Sequence, residues 1–160
     1  MFHLKERYQS SVAQLVRQKC LRGIAILRNP RRKEVVEVYA DDFDGEIEID
    51  EVNKLVEFLS RRPAFDANNF VLTFEESGFP QLNIFAKNDI AVVYYMDVGE
   101  NFVSKGDSES GGTEKFYENK LGGEVDLSKD CVVSKEHMIE AAKQFFATKQ
   151  RPEQLTWSEL

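Results

Sequence analysis

The sequence predicts an α+β fold: a mostly antiparallel sheet with helices packed on it, closed by a C-terminal helix and a Trp-containing tail. Three observations carry that expectation. Apolar, β-branched and aromatic runs follow one another through the middle of the chain, with links too short for parallel crossovers. A helical apolar stripe precedes them, and a second one follows them. Gly, Pro and Asn-Asp pairs punctuate the runs where turns are needed.

Residues 1–37 stand apart. Val12, Leu15 and Val16 make a short helical stripe, which Arg-Asn-Pro-Arg-Arg-Lys at 28–33 breaks. Three readings stand open: a disordered basic arm, an added helix, or upstream sequence translated in frame. In the third, Val38 is the true start, since the valine codon GTG can also serve as a start codon. Residues 38–160 then form a single acidic domain. It opens on an acidic turn, Asp41 to Gly45, and a short strand around Glu46 to Ile49. Asp50 is a good N-cap for a helix over Glu51 to Arg61. Val52, Leu55, Val56 and Leu59 form its apolar face, and Pro63 stops it.

Strands come next. Phe70 to Phe74 is β-branched and aromatic, and Gly78 with Pro80 makes a turn. Leu82, Ile84 and Ala86 alternate with polar residues. Asn88-Asp89 is a tight turn, and Ile90 to Met96 is apolar enough for a central strand. Asn101 to Ser104 continues it or starts another. Lys105 to Thr113 is rich in Gly and Ser and reads as an exposed, mobile loop. Lys115 to Glu118 reads as a further strand. Leu121 to Glu124 is a turn, and Val125 to Leu127 is short and extended.

The last thirty residues are the most specific. A short strand, Cys131-Val132-Val133, meets Ser134, an N-cap type. The helix that follows carries Met138, Ile139, Ala142, Phe145 and Phe146. An Arg151-Pro152 turn and the lone Trp157 come after it. A helix ending in a double Phe, then Arg-Pro, then a lone Trp resembles the C-terminal signature of immunity proteins of bacterial polymorphic toxin systems, in their first numbered family. The resemblance runs from about Tyr39 to Leu160. It is strongest to members that neutralise a toxin deaminating cytosine in double-stranded DNA. It implies a protein that binds an enzyme and is not one. The implied partner is a cognate deaminase toxin domain, held as a heterodimer, with no nucleic acid, membrane or cofactor. The implied setting is bacterial competition, with the toxin delivered by a type VI or similar secretion system. The implied mechanism is occlusion of the toxin's substrate cleft.

Composition agrees with a protein partner. At 160 residues and 42% hydrophobic, the chain is long enough to bury a real core. No apolar run approaches the roughly 18 residues of a membrane span, and the N-terminus lacks a secretory pattern, so a cytoplasmic location is expected. Cys20 and Cys131 have no metal-type spacing, and a reducing compartment disfavours a disulfide between them. The net charge of −7 hides an asymmetry. Residues 1–37 hold nine Lys or Arg and three Glu, a net of +6; residues 38–160 hold twelve basic and twenty-five acidic groups, a net of −13. Such a body repels phosphates and anionic membranes and is drawn to basic surfaces.

Catalytic motifs are missing. A zinc nucleobase deaminase needs His-x-Glu and Pro-Cys-x-x-Cys, yet His137 is followed by Met138 and Ile139, and Cys131 stands alone. There is no nucleophile elbow, phosphate loop or dinucleotide fingerprint. Asp42, Asp44, Gly45, Ile47 and Glu51 fit slots of a calcium loop, but Ala40 occupies its first ligand position. A calcium- or small-ligand-binding module is therefore the second reading, and an enzyme the third. For toxin binding, the candidates are Asp97, Glu100, Phe102, Asp107 and Glu109 around the Gly/Ser-rich loop. The pair Glu75-Glu76 and the acidic turn Asp41, Asp42 and Asp44 come next. Trp157 reads first as a staple holding the tail to the sheet, and second as an interface anchor.

Overall fold

The computed structural model describes residues 38–74, 78–106 and 111–160. The strands are β1 (Val38–Asp42), β2 (Gly45–Ile49), β3 (Ala67–Thr73), β4 (Gln81–Lys87), β5 (Ile90–Asp97), β6 (Glu100–Lys105), β7 (Thr113–Tyr117), β8 (Glu124–Ser128), β9 (Val132–Ser134) and β10 (Thr156–Glu159). Helix α1 is Val52–Leu59 and α2 is Lys135–Thr148. The main sheet runs β10-β6-β5-β4-β3-β1-β2, and every pairing in it is antiparallel. The expected α+β class therefore holds, with the C-terminal helix and the Trp-bearing tail where they were predicted.

Alternation sorts the side chains to two faces. Phe70, Leu72, Leu82, Ile84, Ala86, Ala91, Val93 and Tyr95 point at the helices. They meet Leu55, Phe58 and Leu59 of α1 and Met138, Ala141, Ala142, Phe145 and Phe146 of α2. On the opposite face Phe85, Val92, Tyr94, Met96 and Val103 meet Phe116 and Leu127 of the β7–β8 hairpin. The sheet is thus a shared middle layer, so its central strands read as near-continuous apolar runs.

One edge of β5 is shared. Tyr94 to Asp97 pair with β6, while Ile90 to Val92 pair with β9. Ser104 stitches the junction: its buried hydroxyl accepts from the Val93 N–H at 3.0 Å and donates to the Cys131 carbonyl at 2.6 Å. Ser134 caps α2 as expected, accepting from the His137 N–H at 3.2 Å. Trp157 sits in β10 opposite Ser104, and its indole N–H donates to the Pro152 carbonyl at 2.7 Å. Its ring packs against the helix-side core, as a staple would.

Several local expectations are corrected. Asp41 and Asp42 lie in β1, so the acidic turn shrinks to Phe43 and Asp44. Helix α1 is shorter than Glu51 to Arg61. Its N-cap is Glu51, with extended backbone and no side-chain cap, because the Asp50 carboxylate is engaged by Lys54 at 2.7 Å. Phe58 is buried instead of Val52, which is 41% exposed. The larger ring sets the helix rotation by packing 5.2 Å from Phe70. The calcium-loop register is not adopted: its residues occupy strand, turn, strand and helix-cap positions of a hairpin, with no incoming helix among the described residues. Cys131 belongs to a 3-10 turn, Lys129–Cys131, ahead of β9. Lys105 and Thr113 are in strands, and Gly106 is docked: its N–H donates to the Asp130 carbonyl at 2.7 Å.

Candidate protein-binding surface

Two carboxylate-rich surfaces lie far apart on the sheet. The first is the tip of the β5–β6 hairpin. Asp97 and Glu100 are cross-strand partners there, and Gly99 at φ 82° allows the tight turn between them. Asp97 is held: one oxygen accepts from the Val98 N–H at 2.7 Å, the other from the Tyr95 hydroxyl at 3.3 Å. Burial, then the Asp97 charge, pushes the Tyr95 phenol up to about 12, so it stays a donor to Asp97 at neutral pH. Val98 projects from the tip at 84% exposure. Glu159 pairs across β10 with Phe102, which adds a third carboxylate on the same face of the sheet.

Phe102 is not a free anchor. It is half-buried against the helix-side core, and the Arg151 guanidinium lies 3.8 Å from its ring centroid. That stacking covers the ring and supplies the tip with one cation.

The second surface is the β1–β2 hairpin at the other side of the sheet. Asp42 is only 5% exposed. It accepts from the Asp44 N–H at 2.7 Å and the Asn68 amide at 3.1 Å, with Arg61 at 3.9 Å. Its charge therefore holds the turn to β3. Asp44 is paired with Lys120 of the β7–β8 turn. Asp41, Glu46 and Glu48 share one face of the hairpin by register, and both glutamates are exposed. Glu48 did not stand out in the sequence, although the alternation Glu46-Ile47-Glu48 was the available signal. Val98 was likewise missed, and the Gly99 turn after it was the clue.

Glu75, Glu76, Asp107 and Glu109 lie outside the described residues. Among the described residues, no three His, Cys, Asp or Glu groups gather as a metal site. His137 is exposed in the first turn of α2. Burial pushes the Cys131 thiol up, away from nucleophilic character. No helix among the described residues is long and apolar enough to cross a membrane.

What the geometry offers is exposed negative charge on a rigid sheet. Comparison with known proteins gives the family. A curated relative from Burkholderia cenocepacia (strain H111), a double-stranded DNA deaminase immunity protein, is 94% identical over 123 residues, which is 77% of this chain and 100% of the relative. The model of the immunity protein family Imm1 matches residues 44–159. The chain belongs to the Imm1 family of immunity proteins.

Proposed function

We propose that this protein neutralises a double-stranded DNA deaminase toxin by binding it as a heterodimer and covering its substrate cleft. The observation that carries the reading is the 94% identity to a deaminase immunity protein over that relative's whole length. The charge distribution supports it. An enzyme that grips duplex DNA presents a basic cleft, and this body carries a net of −13 over residues 38–160. Carboxylates such as Asp97, Glu100 and Asp41 stand in for phosphates, and the complex excludes DNA. The same charge repels DNA itself and anionic membranes. Binding suffices, and no turnover is needed. The toxin acts between bacteria, and the inhibitor works in the cytoplasm of the producing cell, where the target DNA is. Capture is accelerated by long-range attraction between an acidic inhibitor and a basic cleft.

The test is titration of purified deaminase with this chain. Deamination of a duplex substrate should vanish near one molar equivalent, with a stable complex of both chains. A standard interface of roughly 1,600 Å² in total is expected. Undiminished deamination in the presence of excess inhibitor sinks the reading.

A further inference from the structure

Among the described residues the sheet ends on β2, which pairs only with β1, and Gly45 through Glu48 are all exposed. Among the described residues, no backbone group of another element bonds to its outer side. Natural sheets blunt such an edge with Pro, Lys, a bulge or a covering element. β2 has no Pro, Lys or bulge in its five residues of unbroken register, and the guards it carries are the charges of Glu46 and Glu48.

Charge says what it rejects and what it accepts. Suppose two copies of β2 paired antiparallel with their helix layers on the same side. Centring on Ile47 puts Glu46 opposite Glu48 of the other copy. Centring on Glu46 puts Glu46 on its twin and Asp44 near Glu48; centring on Glu48 puts Glu48 on its twin and Glu46 near Asp50. Every register sets carboxylates against each other, which is destabilising in cross-strand pairs. The nearby cations do not relieve this. Lys54 is engaged by Asp50 and Glu51, Lys120 by Asp44, and Arg61 faces Asp42. The Glu46 and Glu48 side chains carry no hydrogen bond or ion pair among the described residues. On the helix face, Ile47 is 37% exposed, and Val52 at the start of α1 is exposed too. The opposite edge, β10, differs: Thr156 and Ser158 are neutral there and Glu159 is its sole carboxylate.

We propose that β2 is the docking edge for the deaminase, and that an extended basic segment of the toxin adds to it as a further strand. Main-chain hydrogen bonds give the affinity, as in other β-augmentation complexes. Lys or Arg side chains of the segment face Glu46 and Glu48, and an apolar side chain rests against Ile47 and Val52. The inference builds on the inhibitory role proposed above and names the surface that performs it.

The test combines hydrogen exchange with charge reversal. In the wild-type complex, the amides of 45–49 that point away from β1 should exchange at least tenfold more slowly than in the free chain. The double variant E46K/E48K should fold with an unchanged melting profile and associate roughly tenfold more slowly at low salt. The control D126N/E153Q, at exposed carboxylates outside both candidate surfaces, should retain slowed exchange of the outward-pointing amides of 45–49. If wild type forms a tight inhibitory complex but these outward-pointing amides exchange unchanged, the docking edge is overturned while the inhibitory role stands. If wild type neither binds nor inhibits, the role fails and the edge proposal falls with it. Slow exchange of the outward-pointing amides already present in the free chain also overturns it: concentration dependence would assign the edge to a second copy, and its absence to residues 1–37.

Discussion

At the scale of single residues, the least conspicuous side chain holds a junction together. Ser104 is fully buried and its hydroxyl serves two strands at once, accepting from Val93 and donating to Cys131. Removing it leaves a buried N–H and a part-buried carbonyl without that partner. Each such group costs about 1–3 kcal/mol. Ser104→Ala is therefore expected to lose about 2–4 kcal/mol of stability and to lower the melting temperature by roughly 10 °C. Calorimetry checks this, and a change below 1 °C would contradict the bridging role. Nothing in the sequence distinguished Ser104 from other strand serines, because its partners lie 11 and 27 residues away. Ser134 was legible for the opposite reason: its cap partner, His137, is three residues on. The candidate site divides the same way. Asp97 and Glu100 could be singled out by local charge and a nearby turn. That Asp42 is buried under Asn68 could not, since that contact spans 26 residues.

At the scale of elements, alternation and turn chemistry made β3, β4, β5 and β6 readable, and an apolar stripe with a good cap made α2 readable. Boundaries failed where tertiary contacts decide. α1 rotates to bury Phe58 because Phe70 lies beneath it. β9 was expected as a strand, but its place on half of the β5 edge had no local sign. The segment after β6 shows the same effect. Read by composition, Gly106 belongs to a loose loop. In the fold it lies so close to β9 that an added Cβ would meet the Val132 carbonyl oxygen at 2.1 Å. The neighbour is backbone and cannot swing away. Gly106→Ala should then force β6 and β9 apart, costing about 2 kcal/mol or more as overpacking does. Hydrogen exchange should quicken at Val132 to Ser134 while β3 and β4 stay protected. An unaltered melting point with unaltered exchange at those amides would contradict the close approach.

At the scale of the whole molecule, charge links the sequence to the proposed partner more directly than any single contact. Residues 1–37 carry +6 and oppose a body of −13, so the full chain presents −7. The field that steers association sums over the molecule and is screened beyond about 8–10 Å at physiological salt. Deleting residues 1–37 removes the opposing charge. The elements described here begin at Val38, and the family match covers 44–159. The shortened chain is expected to keep its melting temperature within about 2 °C and to inhibit at the same stoichiometry. Its association with the deaminase should quicken severalfold at low salt, and the two chains should converge as salt rises. Stopped-flow association across a salt series measures this. Slower capture by the shortened chain at low salt would mean that the basic segment contributes to binding, and a large fall in melting temperature would make it part of the fold.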